Sequence, residues 1–237
     1  METDRSLWEA SAQAWIDCQG EDGDRSRREI LDPALATILG DVSGLRVADI
    51  GAGEGRYARK LVAQGAEVVA AEPVALFVEV GRKRSPGVAY VQAGGEALPL
   101  ADQSFDLVLS YLSLIDIADD DRAIREMVRI TKLGGRVVVV LISNVASTSD
   151  GWERDEDRRP VRRTVDNYMR VFPMMLSWKG MTIRNYHRPL SRTMSAFFVA
   201  GCVLTGFHEP LPLAVTDLYE EEVRVPTFQI LEFRRES

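Results

Sequence analysis

The chain holds only two cysteines, Cys18 and Cys202, and two histidines, His187 and His208, among 237 residues. Two thiols give no disulfide framework and fit a cytoplasmic setting. No set of His, Cys, Asp and Glu has metal-ligand spacing, so no metal is expected. Basic residues are in deficit, 29 Lys and Arg against 36 Asp and Glu, for a net charge of −7. A phosphate backbone needs clustered cations, so no nucleic-acid partner is expected. Long apolar runs are missing too. The longest, Val137-Val138-Val139-Val140-Leu141-Ile142, is far short of the ~20 residues of a membrane span. The opening Met1-Glu2-Thr3-Asp4-Arg5 is too polar for a signal peptide. No Gly-x-Ser-x-Gly elbow, Gly-Lys-Ser/Thr phosphate loop, internal repeat or low-complexity tract occurs.

What is present is an alternation of apolar strands and amphipathic helices. Residues 5–18 place Trp8, Ala12, Trp15 and Ile16 at helical spacing. Ser26 is a candidate cap for a second helix through about Leu39. Strands are expected at 45–50, 67–72, 88–92, 105–110 and 136–142, and helices at 55–64, 74–84 and 119–132. Continuously apolar strands suit a parallel sheet covered on both faces. Gly134-Gly135 is the expected turn before the fifth strand. Right-handed crossovers put the strands' C-terminal ends on one edge, where ligands bind. Beyond Ser147 the pattern breaks. Residues 148–163 read as an exposed, mobile loop, and 164–190 as a helix followed by an extended segment, Met181 to Tyr186. A helix near 191–201 and strands at 202–208 and 227–234 complete the series.

One stretch carries most of the chemistry. Leu45-Arg46-Val47-Ala48 reads as a strand, Asp49-Ile50-Gly51-Ala52-Gly53-Glu54-Gly55 as a glycine turn, and Ala58 to Ala63 as a helix. Glycines let a ligand approach where a Cβ would clash. Glu72 ends a second apolar run 21 residues after Gly51, where a carboxylate can accept both hydroxyls of a ribose. Pro73 then fixes φ ahead of the next helix. Arg56 stands where a dinucleotide-binding turn would carry its last glycine, which counts against NAD.

The glycine turn resembles the first motif of class I S-adenosylmethionine-dependent methyltransferases, strand-Asp-x-Gly-x-Gly-x-Gly, in small-molecule members of the methyltransferase type 11 kind. Ala93-Gly94-Gly95-Glu96-Ala97-Leu98-Pro99 with Phe105-Asp106 resembles the next motif, Gly-Asp-Ala-Glu-x-Leu-Pro-Phe then Phe-Asp. The resemblance covers residues 45–142 closely and 178–234 loosely. It implies an α/β, Rossmann-like seven-stranded sheet, mostly parallel with an antiparallel last strand inserted near the edge, sandwiched by helices under an N-terminal helical lid. The domain expected is single: lid 1–40, cofactor core 45–142, substrate-side insertion 147–200 and closing strands 202–234.

The implied cofactor is S-adenosylmethionine, leaving as S-adenosylhomocysteine, and the partner a small acceptor methylated on oxygen or nitrogen by a monomer or homodimer. Its implied contacts are Asp49 to the amino group, Gly51, Ala52 and Gly53 through backbone, and Glu72 with Pro73 at the ribose. Gly95, Glu96 and Ala97 would frame adenine, because Gly94 takes the place of the acidic residue that accepts its amino group. Ser110 and Tyr111 leave the fourth strand at the same edge. Arg27 offers a guanidinium fork to the methionine carboxylate; a solvated helix face is the alternative for Arg27 and Arg28. Asp116 reads as an acidic helix start with Asp119, Asp120 and Asp121 or as a cavity wall. His187, in Tyr186-His187-Arg188-Pro189-Leu190-Ser191, is the candidate base, with a packing role as the alternative. Trp8, Trp15 and His208 read as structural. The rival functions are an NAD-dependent oxidoreductase, a non-catalytic cofactor-binding module, and an RNA or protein methyltransferase.

Overall fold

The computed structural model describes residues 3–214, 216 and 219–236. Its centre is one sheet of seven strands: β1 (Arg46–Ile50), β2 (Glu67–Ala71), β3 (Val88–Val91), β4 (Phe105–Tyr111), β5 (Thr131–Ile142), β10 (Cys202–His208) and β11 (Phe228–Arg235). Their order is β10-β11-β5-β4-β1-β2-β3. Of the seven, β11 runs opposite to the other six, slotted between β5 and β10, as expected. Alternation of side chains separates two cores. Val47, Leu107, Leu109, Val138 and Val140 pack with Leu31, Leu35 and Leu61 on one face. Ala48, Ile50, Val108, Val137 and Val139 pack with Ile124, Met127 and Phe197 on the other. The first face is covered by α2 (Asp32–Leu39) and α3 (Arg56–Ala63), the second by α5 (Asp120–Ile130) and α7 (Leu190–Val199).

The N-terminal helix α1 (Asp4–Gln19) starts at a Thr3–Ser6 capping box. Its Trp8, Ala12, Trp15 and Ile16 pack on Val74 and Phe77 of α4 (Ala75–Arg84) and its N-terminus. A π-helical turn, Arg27–Leu31, runs directly into α2. Ser26 makes no capping bond; Asp24 does that work, accepting the Arg27 amide at 2.9 Å.

Three expectations between the elements fail. Residues 148–163 carry regular structure: α6 (Asn144–Ser147) leads to a hairpin of β6 (Trp152–Arg154) and β7 (Pro160–Arg163). Trp152 sits under the Arg224 guanidinium, which gives that hairpin an anchor. The expected helix before Met181 is instead β8 (Phe172–Trp178), paired with β9 (Met181–His187). Lys179 and Gly180, both at positive φ, join Trp178 to Met181. That two-residue turn matches the twist of paired strands. Finally β5 begins at Thr131, so Gly134-Gly135 lies inside the strand, where the pairing register with β4 shifts. Among the described residues no helix is long and apolar enough to cross a membrane.

Gly55 shows how tightly the glycine turn is packed. It has φ +79°, and a Cβ there would fall 1.7 Å from the Tyr90 hydroxyl. Gly55→Ala should destabilise the fold by about 3 kcal/mol or more, from overpacking and left-handed strain together. Adding Tyr90→Phe should recover part of that loss in denaturant titrations. A lone Gly55→Ala with unchanged stability would contradict the packing.

Candidate functional site

The glycine turn, the ends of β1, β2 and β4, and the α1 and β8–β9 side all line one cavity of about 840 Å³. That lies toward the upper end of ~300–1,000 Å³ pockets that hold drug-sized ligands. Of the expected cofactor contacts, Arg27, Asp49, Gly51, Ala52, Gly53, Glu72, Pro73, Gly95, Glu96 and Tyr111 line it. Ala97 and Ser110 do not. Ala97 is exposed outside the cavity. Ser110 is buried under the strand end, bonded to the Ser113 hydroxyl at 2.8 Å and the Leu114 amide at 3.1 Å.

Glu72 is 4% exposed, and each of its oxygens takes a backbone amide. Gly53 donates to one at 2.9 Å and Val74 to the other at 2.8 Å. A carboxylate has about four lone-pair positions, so each oxygen keeps one for a ligand hydroxyl. Burial pushes the Glu72 pKa up to about 7, against the opposing pull of the two amides. Asp49 at the end of β1 is buried, and its Oδ1 has no hydrogen-bond partner. Burial raises its pKa to about 7 as well. An orphaned carboxylate oxygen on a cavity wall has a polar ligand group as its natural complement. The turn leaves room for one. A Cβ on Gly53 would meet no atom within 4 Å, whereas one on Gly51 would strike Ser113 Cβ at 2.4 Å. Gly53 therefore faces open cavity and Gly51 faces packing.

Arg27 reaches the cavity from the π turn. Its guanidinium lies 5.0 Å from the Trp15 ring and 5.9 Å from Tyr111, with one terminal nitrogen 2.6 Å from Asp24. Arg28 donates to the Gly23 carbonyl instead. Arg56, in the slot of the missing last glycine, forms a bidentate pair with Asp32 at 2.6 and 2.9 Å. Asp32 also accepts from Lys60 at 2.7 Å and the Tyr111 hydroxyl at 2.8 Å. The fork–carboxylate match is what Lys could not make. It fastens the start of α2 to the glycine turn. At Gly94, a Cβ would fall 2.8 Å from Glu96 Oε2, so the Glu96 carboxylate lies over the space a Gly94 side chain would fill.

His187 is not at this site. It lies outside the cavity lining, with Ser147 Oγ 2.8 Å from Nδ1 and the Tyr168 carbonyl 2.8 Å from Nε2. A carbonyl only accepts, so Nε2 carries the proton and Nδ1 takes the serine's. Burial also holds its pKa below the usual imidazole value. Both nitrogens are committed, so His187 is in no position to take a substrate proton. His208 pairs with Glu232 at 2.7 Å on the sheet edge. Trp8 and Trp15 pack together at 5.3 Å yet also line the cavity.

Sequence reasoning missed the opposite wall: Phe77, Leu176, Trp178, Ile183 and Asn185. Asn185 donates from Nδ2 to Asp116 Oδ1. A signal did exist, for Met181, Ile183, Asn185 and His187 alternate as the buried face of β9, and an amide on an apolar face demands a polar partner.

Comparison with known proteins follows the same division. Residues 48–139 match a family model described as a methyltransferase domain. A demethylmenaquinone methyltransferase of Renibacterium salmoninarum is 35% identical over 120 residues, 51% of this chain and 48% of the relative. The ubiquinone/menaquinone biosynthesis C-methyltransferase UbiE of Pseudomonas aeruginosa is 40% identical over 119 residues, 46% of each chain. The match thus spans about half the length of these relatives. Among solved structures, an S-adenosylmethionine dependent methyltransferase from Mesorhizobium loti aligns with TM-score 0.77 at 27% identity, over 91% of this chain and all of that one.

Because both His187 nitrogens are engaged in the interior, His187→Ala should cost about 1–3 kcal/mol of folding stability. Cofactor affinity should not change, as read by thermal unfolding beside calorimetric titration. Loss of affinity with intact stability would return His187 to the site.

Proposed function

We propose that the chain transfers the methyl group of S-adenosylmethionine to a small organic acceptor, a reading supported by the match of residues 48–139 to a methyltransferase-domain family model and by the likeness to an S-adenosylmethionine dependent methyltransferase structure. The observation that carries this is the pair of buried carboxylates, Asp49 and Glu72, set either side of the glycine turn on one cavity. S-adenosylmethionine supplies an electrophilic methyl carbon on a sulfonium. Everything else falls to the chain. Glu72 accepts the ribose hydroxyls with its two spare lone-pair positions. The unpartnered oxygen of Asp49 accepts from the ammonium, and Arg27 meets the carboxylate. Gly53 admits the ligand where a side chain would bar it. Positioning and exclusion of water then supply most of the rate.

In this reading residues 1–40 act as a lid, with α1 and the β8–β9 hairpin closing the far side of the cavity. The methylated atom is an oxygen or nitrogen that carries an ionisable proton, or a carbon conjugated with one. The carbon option is favoured by the relative named as a C-methyltransferase. That assignment stays with the acceptor half of the cavity, whose α1 and β8–β9 walls lie outside the matched segment.

Titration calorimetry with S-adenosylmethionine, S-adenosylhomocysteine and NADH tests the proposal. The first two should bind and the third should not; binding of NADH alone would overturn it. Glu72→Gln should weaken S-adenosylhomocysteine binding by about 1.5–3 kcal/mol. The pH dependence has a definite sign. Asp49 and Glu72, both raised to about 7, must be ionised to accept from the ligand, so affinity should rise from pH 5.5 to 7.5. The ligand-free fold should do the reverse. A raised carboxylic pKa contributes stability below the group's ordinary pKa, and that contribution is lost as pH climbs through 7. Denaturant titrations across that window should show the fall, and Glu72→Gln should reduce it, leaving the share due to Asp49. Parallel slopes for affinity and stability would refute the assignment.

A further inference from the structure

With His187 turned into the interior, the cavity wall facing β8–β9 has another titratable group. Asp116 ends the 3₁₀ turn Leu114–Asp116 just beyond β4, and it lines the cavity between Ile115 and Ile117. Arg188, itself buried, holds that turn in place by donating to the carbonyls of Leu114 at 3.3 Å and Ala118 at 3.1 Å, while pairing with Asp120 at 3.0 Å. Beside it on the cavity wall, Asn185 of β9 is 3% exposed and donates to Asp116 Oδ1. No residue among those described bonds Asp116 Oδ2. One oxygen is therefore fixed by the Asn185 amide, and the other keeps its acceptor capacity on a residue of the cavity wall.

We propose that Asp116 is a catalytic residue that takes the proton of the acceptor's ionisable O–H or N–H group, with Asn185 as the positioning residue that aims its carboxylate. The inference rests on the methyltransferase reading. In the step, the acceptor's X–H bond breaks, its electron pair stays on X, and the proton forms an O–H bond at Asp116 Oδ2. The negative charge moves from carboxylate to acceptor, which becomes the stronger nucleophile. A base works best when its pKa lies near the operating pH. The surroundings push Asp116 that way. Burial raises its pKa well above the ordinary carboxylate range, Asn185 opposes that, and the charges of Glu72 and Asp4 add to the rise while Arg27 counters it. Asp4 is held on α1 by Arg184 at 2.8 Å and by the Tyr186 hydroxyl at 3.0 Å, so its charge stays fixed beside the cavity. The acceptor's apolar body would lie against Trp15, Trp178, Leu176 and Ile183.

The test uses the full chain saturated with S-adenosylhomocysteine, with 4-nitrophenol as protic probe and 4-nitroanisole as its proton-free match. Wild type should prefer the phenol by about tenfold or more, as a hydrogen bond to a charged group implies. Asp116→Asn, nearly the same shape, should abolish that preference while leaving S-adenosylhomocysteine affinity and thermal unfolding unchanged. Asn185→Ala should keep a reduced preference, with its pH midpoint moved upward because an amide that lowers the Asp116 pKa is gone. A merely structural pair would leave the midpoint where it was. An undiminished preference in Asp116→Asn, or none in wild type, overturns the role of Asp116. Failure of wild type to bind S-adenosylhomocysteine overturns the methyltransferase reading itself, and is recorded on the same samples.

Discussion

Glu72 is the carboxylate on which the binding edge of the sheet depends. Strand β2 carries it to the end of the sheet, and from there it takes the amides of Gly53 and Val74. Those two bonds join the turn after β1 to the start of α4, so the glycine turn is held open by a side chain from the neighbouring strand. Placing an acid there is expensive: burial raises its pKa to about 7, and few ordinary folds keep such a group without a use for it. The same arrangement leaves half of its acceptor capacity facing the cavity. Asp49 lies near enough for the two charges to disfavour each other. A cationic, hydroxyl-bearing ligand relieves both strains at once, which is why a neutral occupant would be a poor match.

A second carboxylate, Asp32, secures what covers that edge. It gathers Arg56, Lys60 and the Tyr111 hydroxyl, and so binds two separate segments to the start of α2: the glycine turn's helix and the end of β4. Arg56 and Asp32 are both nearly buried. Removing either partner would strand a charge, a loss larger than the pair's own net contribution. Arg27 is carried on the same arm, sandwiched between Trp15 and Tyr111. The placing of the arm and the placing of the guanidinium are thus one structural fact.

The cofactor half was legible because it is written in short-range grammar. Asp49 to Gly55 and Glu72 are determined by strand period, turn chemistry and a fixed spacing, all of which act within about two dozen residues. The acceptor half obeys no such grammar. Asn185 matters only because β9 folds across to Asp116, a partner 69 residues distant, and local pattern carries no trace of that pairing. The β8–β9 hairpin itself was misread as part helix, since Phe172 to Trp178 has mixed spacing and its decisive turn rests on two positive-φ residues, Lys179 and Gly180. His187 misled for a related reason. A histidine beside a cavity strand looks available until Ser147 and Tyr168, from other segments, claim both nitrogens.

This division decides how far similarity to known enzymes reaches. The matched segment, 48–139, ends in β5. It contains Asp49, the glycine turn, Glu72, Glu96 and Asp116. It contains neither Trp8 nor Trp15, and nothing of β8 or β9. Substrate choice comes from the surface the acceptor touches, and a buried polar group rejects what fails to satisfy it far more sharply than an apolar wall does. Here that polar surface is a pair, Asp116 from inside the matched segment and Asn185 from outside it. The proposed base therefore lies inside the matched segment. The residue proposed to aim it, Asn185, lies outside that segment, so likeness over the core alone does not carry the choice of acceptor to this chain.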